Sequence, residues 1–510
     1  MTPDLLARSL KEFLSESQSG VVIEDGQIVF DLGTARYSIS SDHGKCLLHI
    51  WSEERNIVRQ VLDSELKNGS LRLSVRKFAQ SRPHQLEICR TREYRTPAAR
   101  KASRDHYARL LQRVLEREFP GWTVERLSTS MDLEHSFSPV YARGIVRKGR
   151  SAFAVLGVNP QETQAPIDAA LTFGLLWLDA CREREAGCSL VEGLRLYVPQ
   201  NRAATLQLRM AHLNQEPARF SLCELEEREE VVTEKDCTSV GALDSHLARC
   251  PDAAQVHSSF GPAITKILNL APSAEVAVIS SVEISFRLHG LDFARARLVN
   301  EPDSFKVAQE VTFGVSGFQQ VLTPEKETEF ESFVRQLIET RSSRGDKRDP
   351  ICRMYPERWL ESLVVKNVPA LDSRFDRSHV YSQVPAFSAS DRSMIDVLTC
   401  TREGRLAVLE LKADEDIHLP LQGLDYWARV LWHHRRQEFQ KYGYFSGVQL
   451  SGQPPLLYLV SPSLRVHPAV DTILRYFSLD IEWVLAGLDE RWREGVRVVY
   501  RKSSAERMSV

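Results

Sequence analysis

The sequence predicts an α/β protein of several domains, and three observations carry that prediction. A strand, a turn, a second strand and a helix follow one another from Met394 to Trp427, and a matching succession runs from Tyr141 to Ala180. Outside these two stretches, apolar and polar residues alternate repeatedly, the period-two signature of half-buried strands. A chain of 510 residues is expected to build several cores rather than one. The expected divisions fall at about residues 1–100, 101–232, 233–348 and 349–510.

The first region opens with an amphipathic helix, Thr2 to Ser17. Alternating segments follow at Gly20 to Phe30, Ala35 to Ile39, Cys46 to Trp51 and Leu71 to Phe78, and predict a small, mostly β domain. A basic, proline-containing run from Arg92 to Arg104 reads as a junction. The second region starts with a helix from Tyr107 to Phe119. It continues with the Tyr141 to Asn159 hairpin, an apolar helix from Ala169 to Ala180 and a strand from Leu194 to Pro199, and it closes on the acidic run Glu224 to Glu230, read as a solvated end.

The third region reads as strands at Glu275 to Leu288, Leu291 to Leu298 and Phe305 to Phe313, then a helix from Pro324 to Arg341 with Phe330, Phe333, Val334 and Leu337 on one face. The polar stretch Ser342 to Pro350 reads as a linker. In the fourth region a helix from Glu357 to Val365 precedes a strand at Ile395 to Thr399, a charged turn at Arg402 to Gly404 and an apolar strand from Leu406. A helix from Leu421 to Trp432 and a strand from Leu456 to Pro462 complete it.

Chemistry concentrates in this last region. Side chains two apart on a strand share a face, so Glu410 and Lys412 project together, and the hairpin brings Asp396 beside Glu410. Two carboxylates aimed at one point suit a hard divalent cation, which prefers oxygen ligands and is completed by water and substrate phosphate. A neighbouring ammonium can hold an attacking water or offset charge developing in the transition state. Glu-x-Lys alone occurs on many exposed strands. The competing reading is a surface ion pair with Asp396 capping a turn.

Taken in order, these residues resemble the PD-(D/E)XK nuclease superfamily, whose core motif is an Asp on one strand and Glu-x-Lys on the next: here Asp396, Glu410 and Lys412. Gln422 and Tyr426, four apart on one helix face, add a Gln-x-x-x-Tyr signature similar to the branch containing many helicase-associated and repair exonucleases. The resemblance implies a restriction-endonuclease-like domain, a mixed central sheet flanked by helices. It implies Mg2+ or Mn2+ held by Asp396, Glu410 and the Leu411 carbonyl, with Lys412 positioning or activating water. Glu361, preferred to Glu357 on the preceding helix, assists a second metal or the water, and Gln422 and Tyr426 orient the site and touch the substrate backbone. DNA is the substrate implied over RNA. The alternative is a nucleic-acid-binding or assembly protein that keeps the fold without turnover.

The same fold is expected twice. Tyr141 to Asn159 lies without gaps over Met394 to Lys412, centred on Ala154-Val155-Leu156 against Ala407-Val408-Leu409. That alignment sets Arg143 against Asp396, Gly157 against Glu410 and Asn159 against Lys412, so the first copy lacks both carboxylates and reads as a degenerate, non-catalytic nuclease-like domain.

The net charge of −2 excludes an overall basic coat and directs attention to local patches. The best is His433 to Tyr442, where Arg435, Arg436 and Lys441 interleave with aromatics and are the expected substrate contacts. The nine cysteines include no Cys-x-x-Cys pair and read as reduced thiols; Cys237, His246, Cys250 and His257 match no zinc spacing. Neither an apolar run of membrane length nor a leader pattern is seen, which leads to a cytoplasmic expectation. No P-loop is present, so a helicase partner, as the resemblance suggests, is a separate protein.

Overall fold

The computed structural model describes residues 3–15, 20–24, 27–32, 35–42, 44–52, 56–67, 70–76, 83–89, 97–125, 127–132, 137–238, 243, 245–300, 307–315, 319–387 and 392–505. The basic run from Arg92 falls outside them as far as residue 96, as does the start of the strand expected at Phe305. Packing separates the chain into two compact units: residues 1–210 with 215–238, and residues 211–214 with 239–510. Helices and sheets mix in both, an α/β architecture.

In the first unit, helix α1 (Pro3–Ser15) covers an antiparallel sheet of β1 (Val21–Glu24), β2 (Gln27–Asp31), β3 (Arg36–Asp42), β4 (Lys45–Trp51), β5 (Asn56–Lys67), β6 (Ser70–Arg76) and β7 (His84–Cys89), in the order 2-1-7-6-5-4-3. Leu6, Leu10 and Leu14 of α1 recur at four-residue spacing and bury against Leu48, Ile50, Leu73 and Ile88. Strand β5 escaped the sequence reading because Arg59, Asp63, Glu65 and Lys67 give it the composition of a loop.

The same unit holds a second sheet, formed by β8 (Thr123–Val124), β9 (Tyr141–Lys148), β10 (Ser151–Val158), β11 (Leu190–Pro199), β12 (Arg219–Glu226) and β13 (Val231–Lys235), in sequence order. Helix α2 (Pro97–Glu118) packs Tyr107, Leu111 and Val114 against one face, with Val155 and Tyr197. Helix α3 (Ala170–Arg184) lies on the other and crosses from β10 to β11, and α4 (Ala204–Met210) crosses from β11 to β12. Strands β8 to β10 are antiparallel, β10, β11 and β12 parallel, and β13 antiparallel again.

The second unit contains an antiparallel meander, β15 (Glu275–Ser280), β16 (Glu283–Leu288), β17 (Leu291–Asn300), β18 (Val307–Phe313) and β19 (Gln320–Val321), which shares a core with α5 (Gly261–Leu270) and α6 (Glu327–Thr340). Its other sheet runs β14 (His246–Leu247), β20 (Phe375–Phe387), β21 (Arg392–Thr401), β22 (Leu406–Leu411), β23 (Leu456–Pro462), β24 (Trp483–Leu488) and β25 (Val498–Ser503). Helix α7 (Pro356–Lys366) buries Trp359, Leu360 and Val364 on one face, with Val397, Leu409 and Leu411. Helix α8 (Leu419–Arg435) crosses from β22 to β23, and α9 (Ala469–Leu474) from β23 to β24. Strands β22 and β23 are buried at every position because helices cover both faces, which is why they read as unbroken apolar runs. From β20 to β25, neighbours, strand senses and crossover helices repeat those of β8 to β13.

The region read as a linker, Ser342 to Pro350, follows a residue fixed in the core. Arg341 is fully buried, donates to the carbonyls of Leu288, His289, Ile351 and Met354, and stacks its guanidinium 4.9 Å from the Trp359 ring. This one side chain ties the β16–β17 turn to the segment entering α7.

Candidate active site

Strand pairing assembles the site. Val397 stands opposite Leu409, so one further step along the register sets Asp396 opposite Glu410, on the face that α8 covers. On the other side of β21, the pairs Ser382–Val397 and Val384–Ile395 bracket Gln383, which thereby faces Asp396. Gln383 adopts φ +53°, a left-handed conformation uncommon for a residue with a side chain and frequent at functional positions. From there its Nε2 donates to Glu361 Oε2 at 2.6 Å. Arg358, one turn earlier on α7, adds a longer contact of 3.4 Å to the same oxygen.

Glu410 is 2% exposed, an extreme burial for a carboxylate. Its Oε1 lies 3.2 Å from Lys412 Nζ, while its Oε2 is buried without a hydrogen-bond partner among the described residues. Asp396 accepts from the Leu411 N–H at 3.1 Å. Burial, and then the Asp396 charge, hold Glu410 well above the usual carboxylate range. Asp396 is raised as well, again chiefly by burial, against the pull of the Leu411 N–H and Lys412. Glu361 is pushed up to about 7, by burial first. Two adjacent buried carboxyls cannot both ionise without a cation. Burial works against the Lys412 ammonium, but Glu410 and Asp416 outweigh it and keep the charged form favoured. Asp416 Oδ2 lies 3.6 Å from that nitrogen.

Helix α8 closes the site from above. Gly423 lets it approach closely: a Cβ there would sit 2.6 Å from Leu459 and 3.5 Å from the Glu410 Cβ. On either side of this contact stand Gln422, whose Oε1 is buried without a partner among the described residues, and Tyr426, which burial first, and then the charges of Glu410 and Asp396, hold in its neutral form. Asp396, Glu410, Lys412, Gln422 and Tyr426 are thus brought together, with Glu361 joined through Gln383. Glu357, in the first turn of α7, makes no hydrogen bond or ion pair with them among the described residues. No three His, Cys, Asp or Glu side chains among the described residues converge tightly enough to hold a metal ion by themselves. Glu361 accordingly does not complete a carboxylate triad, and Cys237, His246, Cys250 and His257 form no cluster.

The residues present do fit a hard divalent cation: two carboxylates in contact, their repulsion relieved by a proton or a cation, and one buried oxygen with no donor among the described residues. Asp396 and Glu410 would hold it, with the Leu411 carbonyl.

The His433–Tyr442 patch lies elsewhere. Arg435 is nine residues beyond Tyr426, roughly 14 Å along the helix, and several of its neighbours are engaged in structure. His433 is fully buried between Ser245 Oγ (2.8 Å) and Glu438 Oε2 (2.5 Å), and Arg436 pairs with Glu438 and lies over Trp432. Lys441 lies 5.6 Å from the Tyr442 ring centroid. Gln383 and Arg358 were missed in the sequence. Gln383 becomes visible only once β20 is paired with β21, and its backbone conformation leaves no trace in composition.

The gapless superposition of the two hairpins needs a correction. The β9–β10 turn has two residues, Gly149 and Arg150, whereas the β21–β22 turn has three, Arg402 to Gly404. One extra residue reverses the face of everything after it. Arg143 pairs with Leu156, not Gly157, so Leu156 occupies the place of Glu410. The crossover helices give the same answer. Gly174 of α3 contacts Leu194 and Leu196 as Gly423 contacts Leu457 and Leu459; Leu196 pairs with Leu156 and Leu459 with Glu410. Trp177 then matches Tyr426, and Arg143, in place of Asp396, has its guanidinium 4.6 Å from Phe137 and 5.7 Å from Trp177. Val158 takes the place of Lys412. Gly157 faces Tyr107 and Leu111 of α2 instead, and Asn159, also turned to that side, bonds Ser103.

No protein-family model, no curated protein and no solved structure matches the chain.

Proposed function

We propose that residues 349–510 form a metal-dependent nuclease of the PD-(D/E)XK type, acting on DNA in preference to RNA, and that residues 101–232 are a sister domain that has lost the chemistry. The observation that carries this reading is the Asp396–Glu410 carboxyl pair, buried beside the Lys412 ammonium with one oxygen of Glu410 lacking a donor among the described residues. A surface ion pair does not account for it, because Glu410 is 2% exposed and two buried carboxyls in contact need a shared proton or a further cation beside Lys412 to offset their repulsion. When bound, Mg2+ or Mn2+ supplies charge compensation and polarises the phosphoryl oxygen.

The chain's own groups have separable tasks. Lys412, kept charged by Glu410 and Asp416, orients the attacking water and offsets negative charge on the phosphoryl oxygens as they crowd in the transition state. Gln383 fixes Glu361 relative to Asp396, so that Glu361 acts as a positioning residue and a proton acceptor near neutral pH. Tyr426, held neutral by burial and by the neighbouring carboxylates, donates its phenolic proton toward the substrate backbone, and Gln422, one turn before it on α8, offers its amide N–H groups to the same phosphates. In the sister domain, Leu156 and Arg143 replace the two carboxylates, and the Arg143 guanidinium lies against Phe137 and Trp177, whose rings meet edge to face. That supports a scaffolding role and the loss of metal binding there.

Cleavage of end-labelled single-stranded DNA, duplex DNA and RNA, with Mg2+ or Mn2+ and with chelator, tests the reading. Metal-dependent cutting of DNA is expected. Retained binding to one nucleic acid with no cutting under any metal would replace it with the binding-protein alternative.

A further inference from the structure

A second polar site adjoins the first and no step above uses it. Between the β16–β17 hairpin and the start of α7 lies a cavity of about 220 Å³ lined by Arg287, Arg295, Arg358, Tyr355 and Asp292. Three guanidinium groups face one carboxylate. Asp292 accepts from Arg287 Nε (2.7 Å) and Arg295 Nη2 (2.8 Å), and Glu283 on β16 takes Arg295 Nη1 at 3.3 Å. The terminal nitrogens of Arg287 have no bonded partner among the described residues, although its side chain is only 18% exposed, and Arg295 Nε is buried with none. The cavity is therefore a partly enclosed space with guanidinium donors left unused.

It is also a built space. Gly290, in the hairpin turn at φ +73°, allows a backbone approach so close that a Cβ there would fall 2.0 Å from the Arg358 carbonyl oxygen. Arg341 holds the same turn to the segment before α7. Tyr355, at the head of α7, is held at φ +48° with its ring about half exposed beside the arginines. Arg358 connects the two sites, facing the cavity while its Nη1 contacts Glu361.

We propose that this cavity binds a phosphate group of the nucleic-acid strand, with Arg287, Arg295 and Arg358 as its ligands and Tyr355 stacking on the adjoining base, and so sets which phosphodiester reaches Asp396 and Glu410. The proposal rests on the nuclease reading for its substrate, but its recognition chemistry stands alone. Guanidinium forks match phosphate oxygens, and an exposed aromatic beside them provides the platform typical of single-strand binding. The meander, silent in the sequence, thereby acquires a role: it carries two of the three arginines next to a helix that carries the third.

The test is binding, not cleavage. Fluorescence anisotropy with the full chain in chelator measures the affinity for short single strands ending in a 5′-phosphate, a 3′-phosphate or hydroxyls only, for the native chain and for Arg287→Gln and Arg295→Gln. Each substitution is expected to weaken binding about five- to tenfold and to lower the slope of log affinity against log salt by roughly 0.7. A loss confined to phosphorylated ends identifies a terminal phosphate as the ligand, and an equal loss on all strands an internal one. Arg287→Lys, which keeps the charge and loses the fork, is the companion variant should a glutamine variant melt early, with an intermediate loss expected. Strand binding unchanged in variants that melt like the native chain would overturn the proposal while leaving the nuclease reading intact; a chain that cuts nothing yet shows the arginine dependence would overturn only the latter.

Discussion

Replacing Arg341 by methionine isolates the hydrogen bonds by which the meander is attached to the segment entering α7, because methionine keeps the aliphatic length and removes every donor. Five N–H···O contacts of 2.8 to 3.3 Å, to four carbonyls, are lost, with the stacking on Trp359. Among the described residues no carboxylate bonds this guanidinium; burial pulls it down to about 10, and carbonyl dipoles face its positive charge. A buried acceptor left without a donor costs about 1–3 kcal/mol. Water entering the vacated space satisfies some of the four carbonyls, and the expected net loss is about 3–5 kcal/mol, the range for a broken buried polar network. Urea unfolding followed by tryptophan fluorescence gives the total, and hydrogen exchange by mass spectrometry localises it. Protection is expected to fall in peptides spanning β16–β17 and α7 and to remain unchanged in β1–β7. A loss below about 1 kcal/mol, or a uniform loss of protection, would refute the reasoning, since four carbonyls released from a buried cation cannot be so cheaply resolvated.

Further outcomes follow from the site and its surroundings. Lys412→Ala is expected to reduce cleavage by two or more orders of magnitude, whereas Asn159→Ala, which loses only the bond to Ser103 and the cap on Gln161 N–H, should leave cleavage per folded molecule unchanged; equal losses in both would sink the inactive-sister reading. Glu361 has a folded pKa of about 7, raised from 4.5, so its contribution to stability is complete below about pH 4.5 and is lost as pH rises to 7. In chelator, Glu361→Gln should therefore be the more stable protein at pH 8 by about 2–3 kcal/mol, with the difference closing toward pH 4; parallel melting curves across that range would contradict it. Asp372, held down at about 2 by the Arg374 and Tyr458 hydrogen bonds despite burial, has the opposite sign: its contribution is present above pH 4 and disappears as pH falls toward 2. Asp372→Asn should cost about 1.5–3 kcal/mol at pH 7 and little at pH 2, read from urea midpoints at the two pH values.

The β21–β22 hairpin was legible because its information is local. Period-two spacing sets Glu410 and Lys412 on one face, and period 3.6 sets Gln422 with Tyr426, so five of the residues that meet in the site could be named from the chain. The sister hairpin was legible in outline and misread in register, since a two-residue and a three-residue turn look alike in composition but reverse the face of Gly157 and Leu156. What was not legible depends on distant pairing or on backbone conformation. Gln383 enters through β20 at positive φ, the Arg287–Arg295–Arg358 cavity through contact between segments some 60 residues apart, and the Arg341 tie through a side chain that composition assigns to the edge of a linker. In the basic run ending at Lys441, Arg435, Arg436 and Lys441 are exposed, but composition does not reveal that His433 within it is buried against Glu438 or that Arg436 is tied to the same carboxylate.

The central claim is that Asp396 and Glu410 form a metal site that cuts a phosphodiester. The measurement that addresses it most directly is cleavage of labelled DNA by the native chain and by Glu410→Ala in a titration of Mg2+ and Mn2+, with metal binding followed by calorimetry on the same samples. The account predicts metal-dependent cleavage and a metal-binding heat in the native chain, both abolished by Glu410→Ala. Cleavage that persists in Glu410→Ala at the native rate, or a native chain that neither binds metal nor cuts, would contradict it.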